Sequence, residues 1–258
     1  MLLTMDVGNT NVKCGVFDGD TMVAYLRLST DIGRTSDEYG LSLVNFLQYK
    51  GLTLEDITAI AMSSVVPSIN FTLEHMCDTY FQIKPLVVSP GIRTGVNIKY
   101  DNPREVGSDR ICSIAAAHKL YGGPVIVIDF GTATTFSTAS SEGDFLGGAI
   151  MPGLKLSSEA LVATAAKLPR IELIRPEHVI NRTTITNMQS GIIYGYIGAV
   201  EHIIRKMREE LGAPAKVVAT GGMAVLVSPA SDSFDILNGQ LTLEGLRIIY
   251  ERNMGYPE

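Results

Sequence analysis

Two stretches of this chain, LLTMDVGNTNVKCGVF from residue 2 and VIVIDFGTATTFSTAS from residue 125, follow one plan. Each runs an apolar strand into an Asp, sets a Gly two positions later, adds small hydroxyl or amide residues, and continues into a second β-rich run. The glycine lets the backbone return tightly and turns amide hydrogens outward. Asn9, Thr10 and Asn11 place side-chain donors beside the first turn, and Thr132, Thr134 and Thr135 beside the second. Such a nest of donors suits phosphate oxygens, and a carboxylate at the strand end suits a cation that offsets their charge. Lys13, one step into the returning strand, can reach a phosphate as a point charge. A single Asp-x-Gly is an ordinary β-turn. Two copies with the same surroundings point to a polyphosphate gripped from two domains.

The remaining pattern fits two similar α/β halves. After the first strand pair, Thr35 to Glu38 forms a capping box ahead of Leu41, Val44 and Leu47 at helical spacing. ITAIAMSSVV and PLVVS read as buried strands with NFTLEHMCDTYF as the helix between them, around a mostly parallel sheet. SDRICSIAAAHKLYGG reads as a helix leading into the second Asp turn, where the pattern restarts. It continues with a strand in FLGGAIMPG, helices at SSEALVATAAKL and TNMQSGIIYGYIGAVEHIIRKMREELG, and the strand KVVATGG. The expected division is a first domain over 1–112 and a second over 113–258, hinged about a cleft, with a final amphipathic helix over 241–254 packing back on the first.

Composition removes several classes of function. The formal net charge is −6 and no long block of Lys or Arg occurs, so phosphate neutralisation along a nucleic acid is not expected. No run approaches the ~18 apolar residues of a membrane span. Asp6 interrupts the first apolar run before a signal-peptide core could form. Cys14, Cys77 and Cys112 are odd in number and widely spaced, which suggests neither a disulfide framework nor a thiolate metal site and fits a cytoplasmic protein. The four histidines are scattered without metal-ligand spacing.

Other glycine motifs do not qualify. GGAIMPGLK has Leu154 where a P-loop needs lysine, and Pro152 removes a backbone donor. No G-x-G-x-x-G occurs. Gly221 and Gly222 after VVAT would suit close approach to a flat nucleoside or a plain strand-to-helix turn.

In order along the chain, DVGNTNVK, YDNPREVGSDR, DFGTATTF, GGAIMPGL, NRTTITNMQSGIIYG, ATGG and LTLEGL resemble the type III pantothenate kinases, members of the actin/hexokinase/Hsp70 superfamily. The resemblance spans residues 6–246 and implies two actin-like, ribonuclease H-like domains. It implies phosphorylation of pantothenate by ATP with Mg2+, in a homodimer that binds neither nucleic acid nor membrane. By matching positions, Asp6, Val7, Gly8, Asn9, Thr10, Asn11, Val12 and Lys13 would form the first ATP-phosphate turn, and Thr132 would touch phosphate in the second. Asp129 would ligate a monovalent cation, K+ or NH4+. Tyr100, Gly107, Ser108, Asp109 and Arg110 would line the pantothenate site, with Thr184 reaching the partner subunit's pantothenate.

Phosphoryl transfer to an alcohol needs a group that takes the hydroxyl proton. Asp109 suits that role, and Arg110 can pair with a substrate carboxylate. A helix N-cap at Asp109 and a solvated Arg110 are the structural alternative. Asp129 at the end of VIVID needs pairing, by a cation or by hydrogen bonds. The functional alternatives are a kinase of the same superfamily acting on a sugar or acetate-like acceptor, and a regulatory relative without catalysis.

Overall fold

The computed structural model describes residues 1–255, and every absence stated below refers to these. Contacts group them into two units. The first comprises Met1–Val96, Asp101–Ala116 and the C-terminal segment from Leu241; the second comprises Asn97–Tyr100 and Ala117–Gln240.

In the first unit β1 (Leu2–Val7), β2 (Asn11–Asp18) and β3 (Thr21–Ser29) form an antiparallel meander closed by Gly8–Thr10 and by Gly19–Asp20. The capping box forms as expected at Thr35: its hydroxyl accepts from Glu38 N, and Glu38 Oε2 accepts from Thr35 N at 2.8 Å, a pairing worth ~1 kcal/mol. It opens α1 (Ser36–Tyr49), followed by β4 (Ala59–Ser64), α2 (Asn70–Met76) with a π turn over Cys77–Phe81, and β5 (Leu86–Val87). The strand order is β3-β2-β1-β4-β5. Only the pairings β1–β4 and β4–β5 are parallel, so the sheet is mixed rather than mostly parallel. The reason is β3, an outer strand with an irregular burial pattern that sequence reading did not separate from a loop.

Alternation along β1 divides the core. Leu3, Met5 and Val7 face α1 and α2 together with Leu43, Leu47, Leu73 and Met76. Leu2 lies on the other face with Phe17, Ala61, Cys112, Leu243, Leu246 and Ile249. That second layer comes from α3 (Ser108–Tyr121) and α7 (Leu241–Met254), with β6 (Asn97–Ile98) preceding α3 in the chain. Period-2 alternation puts Thr4 and Asp6 on this same face.

The second unit holds β7 (Val125–Phe130), β8 (Ala133–Ala139), β9 (Asp144–Pro152), α4 (Leu154–Thr164), α5 (Thr184–Leu211), β10 (Lys216–Thr220), the short α6 (Ala224–Val227) and β11 (Ile236–Leu237). Its sheet runs β11-β10-β7-β8-β9-β6. Without β6, that order repeats the first sheet strand for strand, with the same two antiparallel and two parallel pairings. α4 begins three residues before the expected SSEALVATAAKL and ends at Thr164, where Ala165 turns extended. Ile193, Tyr196, Ile197, Val200 and Ile204 of α5 pack on Ile126, Ile128 and Phe136. No helix is long and apolar enough to cross a membrane.

Candidate active site

The two Asp turns occupy equivalent places in their sheets. Asp6 on β1 is register partner of Lys13 on β2 and of Ser63 on β4. Asp129 on β7 is register partner of Thr135 on β8 and of Thr220 on β10. The internal repeat therefore ends each first strand with a carboxylate and each fourth strand with a hydroxyl.

In the first unit Asp6 is 5% exposed and Lys13 Nζ stands 3.2 Å from its Oδ2. Asn9 and Thr10 are exposed. The carbonyls of the turn are taken from within: Gly8 N donates to Asn11 O at 3.0 Å, Thr30 Oγ1 to Gly8 O at 2.6 Å, and Thr30 N to Thr10 O at 3.0 Å. Each of those oxygens thereby faces a donor inside the unit, which offsets part of its negative charge. Thr30, just past β3, was invisible to motif reading because its bonds to the turn span about twenty residues.

The G-x-D-R segment lies in the same unit. Ile111 N and Arg110 N both donate to Gly107 O, at 3.2 and 3.1 Å, and Asp109 Oδ1 accepts from Arg110 N at 2.8 Å. Its carboxylate thus caps the start of α3, while Arg110 is 9% exposed. A β-carbon on Gly107 would stand 2.4 Å from Asp109 Oδ1, so a larger residue there would displace the carboxylate from this position. Ser108 Oγ bonds the end of β4: Ser64 N at 3.1 Å, Ser64 O at 3.1 Å and Ser63 Oγ at 2.9 Å. Ser63 and Ser64 are a second omission of the sequence reading, although a polar pair ending a buried strand is the same signal that Asp6 gives.

Beneath these groups lies Cys112. Burial pushes its thiol well above the ordinary value, and the charges of Asp6 and Asp109 push it the same way. One buried thiol therefore feels both carboxylates, and the first Asp turn and Asp109 belong to one neighbourhood of the first unit.

In the second unit Asp129 is partly buried and Thr132 exposed. Gly221, at φ +92°, ends β10 so close to β7 that a β-carbon would meet Asp129 Oδ1 at 2.2 Å and Phe130 N at 2.6 Å. Gly153 N donates to Thr132 O at 3.1 Å, which ties the second turn to the start of α4. Thr134 Oγ1 bonds the buried Tyr196 hydroxyl, whose pKa is raised chiefly by burial. Tyr100 stacks edge-on against Phe145 with centroids 5.4 Å apart. Thr184 opens α5 one residue after the N-cap Thr183, is exposed, and makes no hydrogen bond to the other candidate residues among those described.

The residues present suit a nucleotide and a cation. Close glycine approaches at Gly107 and Gly221 keep β-carbons away from both carboxylates. No cluster of three or more His, Cys, Asp and Glu side chains exists among the described residues. A divalent ion would then be held by a carboxylate together with the phosphates of a nucleotide, the usual arrangement for Mg2+.

Residues 2–206 match the family model for type III pantothenate kinase. Solved structures with the same fold include a protein described as a conserved Baf family transcriptional activator from Campylobacter jejuni, at 19% identity, TM-score 0.61 and 98% coverage of both chains. A ROK hexokinase from Thermus thermophilus aligns at 12% identity and TM-score 0.56, over 98% of this chain and 99% of that one. The activator of 2-hydroxyisocaproyl-CoA dehydratase from Clostridium difficile, solved with bound ADPNP, aligns at 13% identity and TM-score 0.54, over 97% and 94%. These likenesses show an actin-like fold.

Proposed function

The chain belongs to the type III pantothenate kinase family, and on that premise we propose that Asp109 is the general base that takes the proton from the pantothenate hydroxyl. Membership makes the protein an ATP-dependent transferase that phosphorylates pantothenate to 4'-phosphopantothenate in coenzyme A synthesis, with a divalent metal accompanying ATP. The metal neutralises charge on the phosphate oxygens.

In our reading the hydroxyl O–H bond breaks toward Asp109 as its oxygen bonds to the γ-phosphorus, while the bond to the β-phosphate oxygen breaks and ADP leaves. Asp6 to Lys13 supply amide, side-chain and ammonium donors to the phosphates, and Thr132 touches phosphate in the second turn. Asp129 holds K+ or NH4+, for which a strand-end carboxylate is a hard oxygen donor. Gly107, Asp109, Arg110 and Tyr100 line the pantothenate, with Arg110 pairing its carboxylate. The observation that carries this reading is the strand-Asp-turn unit at equivalent positions of two sheets with one strand order. Ser63, the register partner of Asp6, bonds Ser108 next to Asp109 at 2.9 Å, which supports Asp109 as the base beside the phosphates.

We further propose that the enzyme acts as a homodimer in which Thr184 reaches the partner subunit's pantothenate. Support comes from α5, where Gly191, Gly195 and Gly198 are exposed and a β-carbon on any of them would meet nothing within 4 Å. Ser190 is not on that face: it is buried and donates to Val179 O at 2.7 Å. Ile174, Val179, Ile180 and Ile185 lie exposed near the helix start.

A coupled assay for ADP with ATP, magnesium, potassium and pantothenate tests the reaction against pantothenate-free and sugar-containing controls. Turnover that needs pantothenate supports it; turnover only with sugar overturns it. Equal rates in sodium and in potassium or ammonium would remove the cation at Asp129. A fully active monomer in size exclusion with light scattering would remove the shared site.

A further inference from the structure

Ser108 sits one residue before Asp109, inside the segment read above as lining the substrate. Its hydroxyl has one proton to give and two lone pairs to fill. One arrangement meets all three of its contacts: the proton goes to Ser64 O, and the lone pairs take Ser64 N–H and the Ser63 hydroxyl. Nothing is left over for a substrate. Ser63 is wholly buried, so no water competes for that bond.

The other end of this latch is the strand pair that carries the first turn. Ser63 and Ser64 are register partners of Asp6 and Val7, and Val65 N donates to Val7 O at 3.0 Å just before Gly8. The first turn of α3 is thereby bonded to the strand end next to Asp6. Proton transfer is steep in distance, and a misplacement of ~1 Å can cost about 100-fold in rate.

We propose that Ser108 is a positioning residue whose hydroxyl, saturated by Ser63 and Ser64, locks the first turn of α3 and with it the Asp109 carboxylate to the strand pair bearing Asp6, without touching substrate. This rests on the reading of Asp109 as the base. It assigns to Ser63 and Ser64 a part in turnover that no motif gives them.

The test compares Ser108→Ala, Ser108→Thr, Ser63→Ala and the double alanine variant. Ser108→Ala is expected to lower kcat by about 10-fold or more with the KM for pantothenate within about twofold. Ser108→Thr, which keeps the hydroxyl, restores most of kcat. Ser63→Ala lowers kcat in the same direction, and the double variant is no slower than Ser108→Ala, because one latch is broken once. Amide exchange at Ser64, followed by NMR, accelerates in Ser108→Ala. A raised KM with kcat retained would make Ser108 a substrate contact and overturn the proposal. So would a lowered Tm with both kinetic constants unchanged, or a Ser63→Ala variant with full kcat. Should Ser108→Ala not fold, Ser63→Ala still decides. A wild-type chain inert toward pantothenate overturns the kinase reading alone, since Ser64 exchange reports the latch without turnover.

Discussion

A β-carbon on Gly107 would stand 2.4 Å from Asp109 Oδ1, so the glycine is the space in which the carboxylate lies. Gly107→Ala must therefore turn the carboxylate away or shift the start of α3. We expect kcat to fall by about 100-fold, the penalty of a misplaced base, with circular dichroism unchanged. Wild-type kcat in this variant would show that the carboxylate's position is immaterial.

Asp109→Asn keeps the shape and an oxygen able to accept from Arg110 N, but it cannot take a proton. Turnover should drop by ~10²–10⁴-fold at nearly unchanged Tm. Stopped or steady-state ADP release measures it, and retention of kcat would dismiss Asp109 as base.

Thr30 binds two carbonyls of the first turn, one through its side chain. Removing one hydrogen bond of this kind costs ~1 kcal/mol, which is about fivefold in an equilibrium. Thr30→Val should raise the KM for ATP by roughly that factor and leave the KM for pantothenate alone, whereas Thr30→Ser should match wild type. Parallel titrations of the two substrates separate these outcomes.

Gly245 on α7 packs so closely on α3 that a β-carbon would meet Cys112 O at 2.0 Å. The neighbour is backbone and cannot rotate away, so Gly245→Ala forces the helices apart. The expected loss is ~3 kcal/mol, at the upper end of overpacking costs, read as a lower denaturation midpoint in urea. An unchanged midpoint would mean that the helices are not held at this separation.

Burial holds the Cys14 and Cys77 thiols up at about 12 against an ordinary 9.0, and Cys112 is raised too. Native thiols keep their protons where unfolded ones lose them, so the native state binds more protons above pH ~9 and stability falls as pH rises from there toward 12. Below pH ~9 this contribution is fully present. Thiol alkylation at pH 8 should be negligible in the native protein and reach three equivalents in denaturant; rapid native labelling of any of the three would contradict the burial.

The features legible in the sequence were those whose cause is local. The two Asp turns, the capping box at Thr35 and the long α5 depend on spacings of a few residues. β3 was not legible, because an outer strand with exposed positions lacks clean alternation, and without it the first sheet looked mostly parallel. The expected helix over Ser157–Leu168 ran past Thr164, since nothing in SSEALVATAAKL announces the extended backbone at Ala165. In the site, Asp6, Asp109 and Asp129 announced themselves as acids at strand or helix ends. Thr30, Ser63 and Ser64 act through hydrogen bonds spanning twenty residues or more, and a hydroxyl residue carries no mark of its distant partner.

One consequence of α7 concerns synthesis. Leu2 and Phe17 leave the ribosome long before part of their cover does, because that layer includes Leu243, Leu246 and Ile249, translated more than two hundred residues later. A nascent chain must hold that greasy sheet face with only the α3 part of its cover while residues 117–240 are being made, which marks the α7 share of this face as the place for a chaperone to guard.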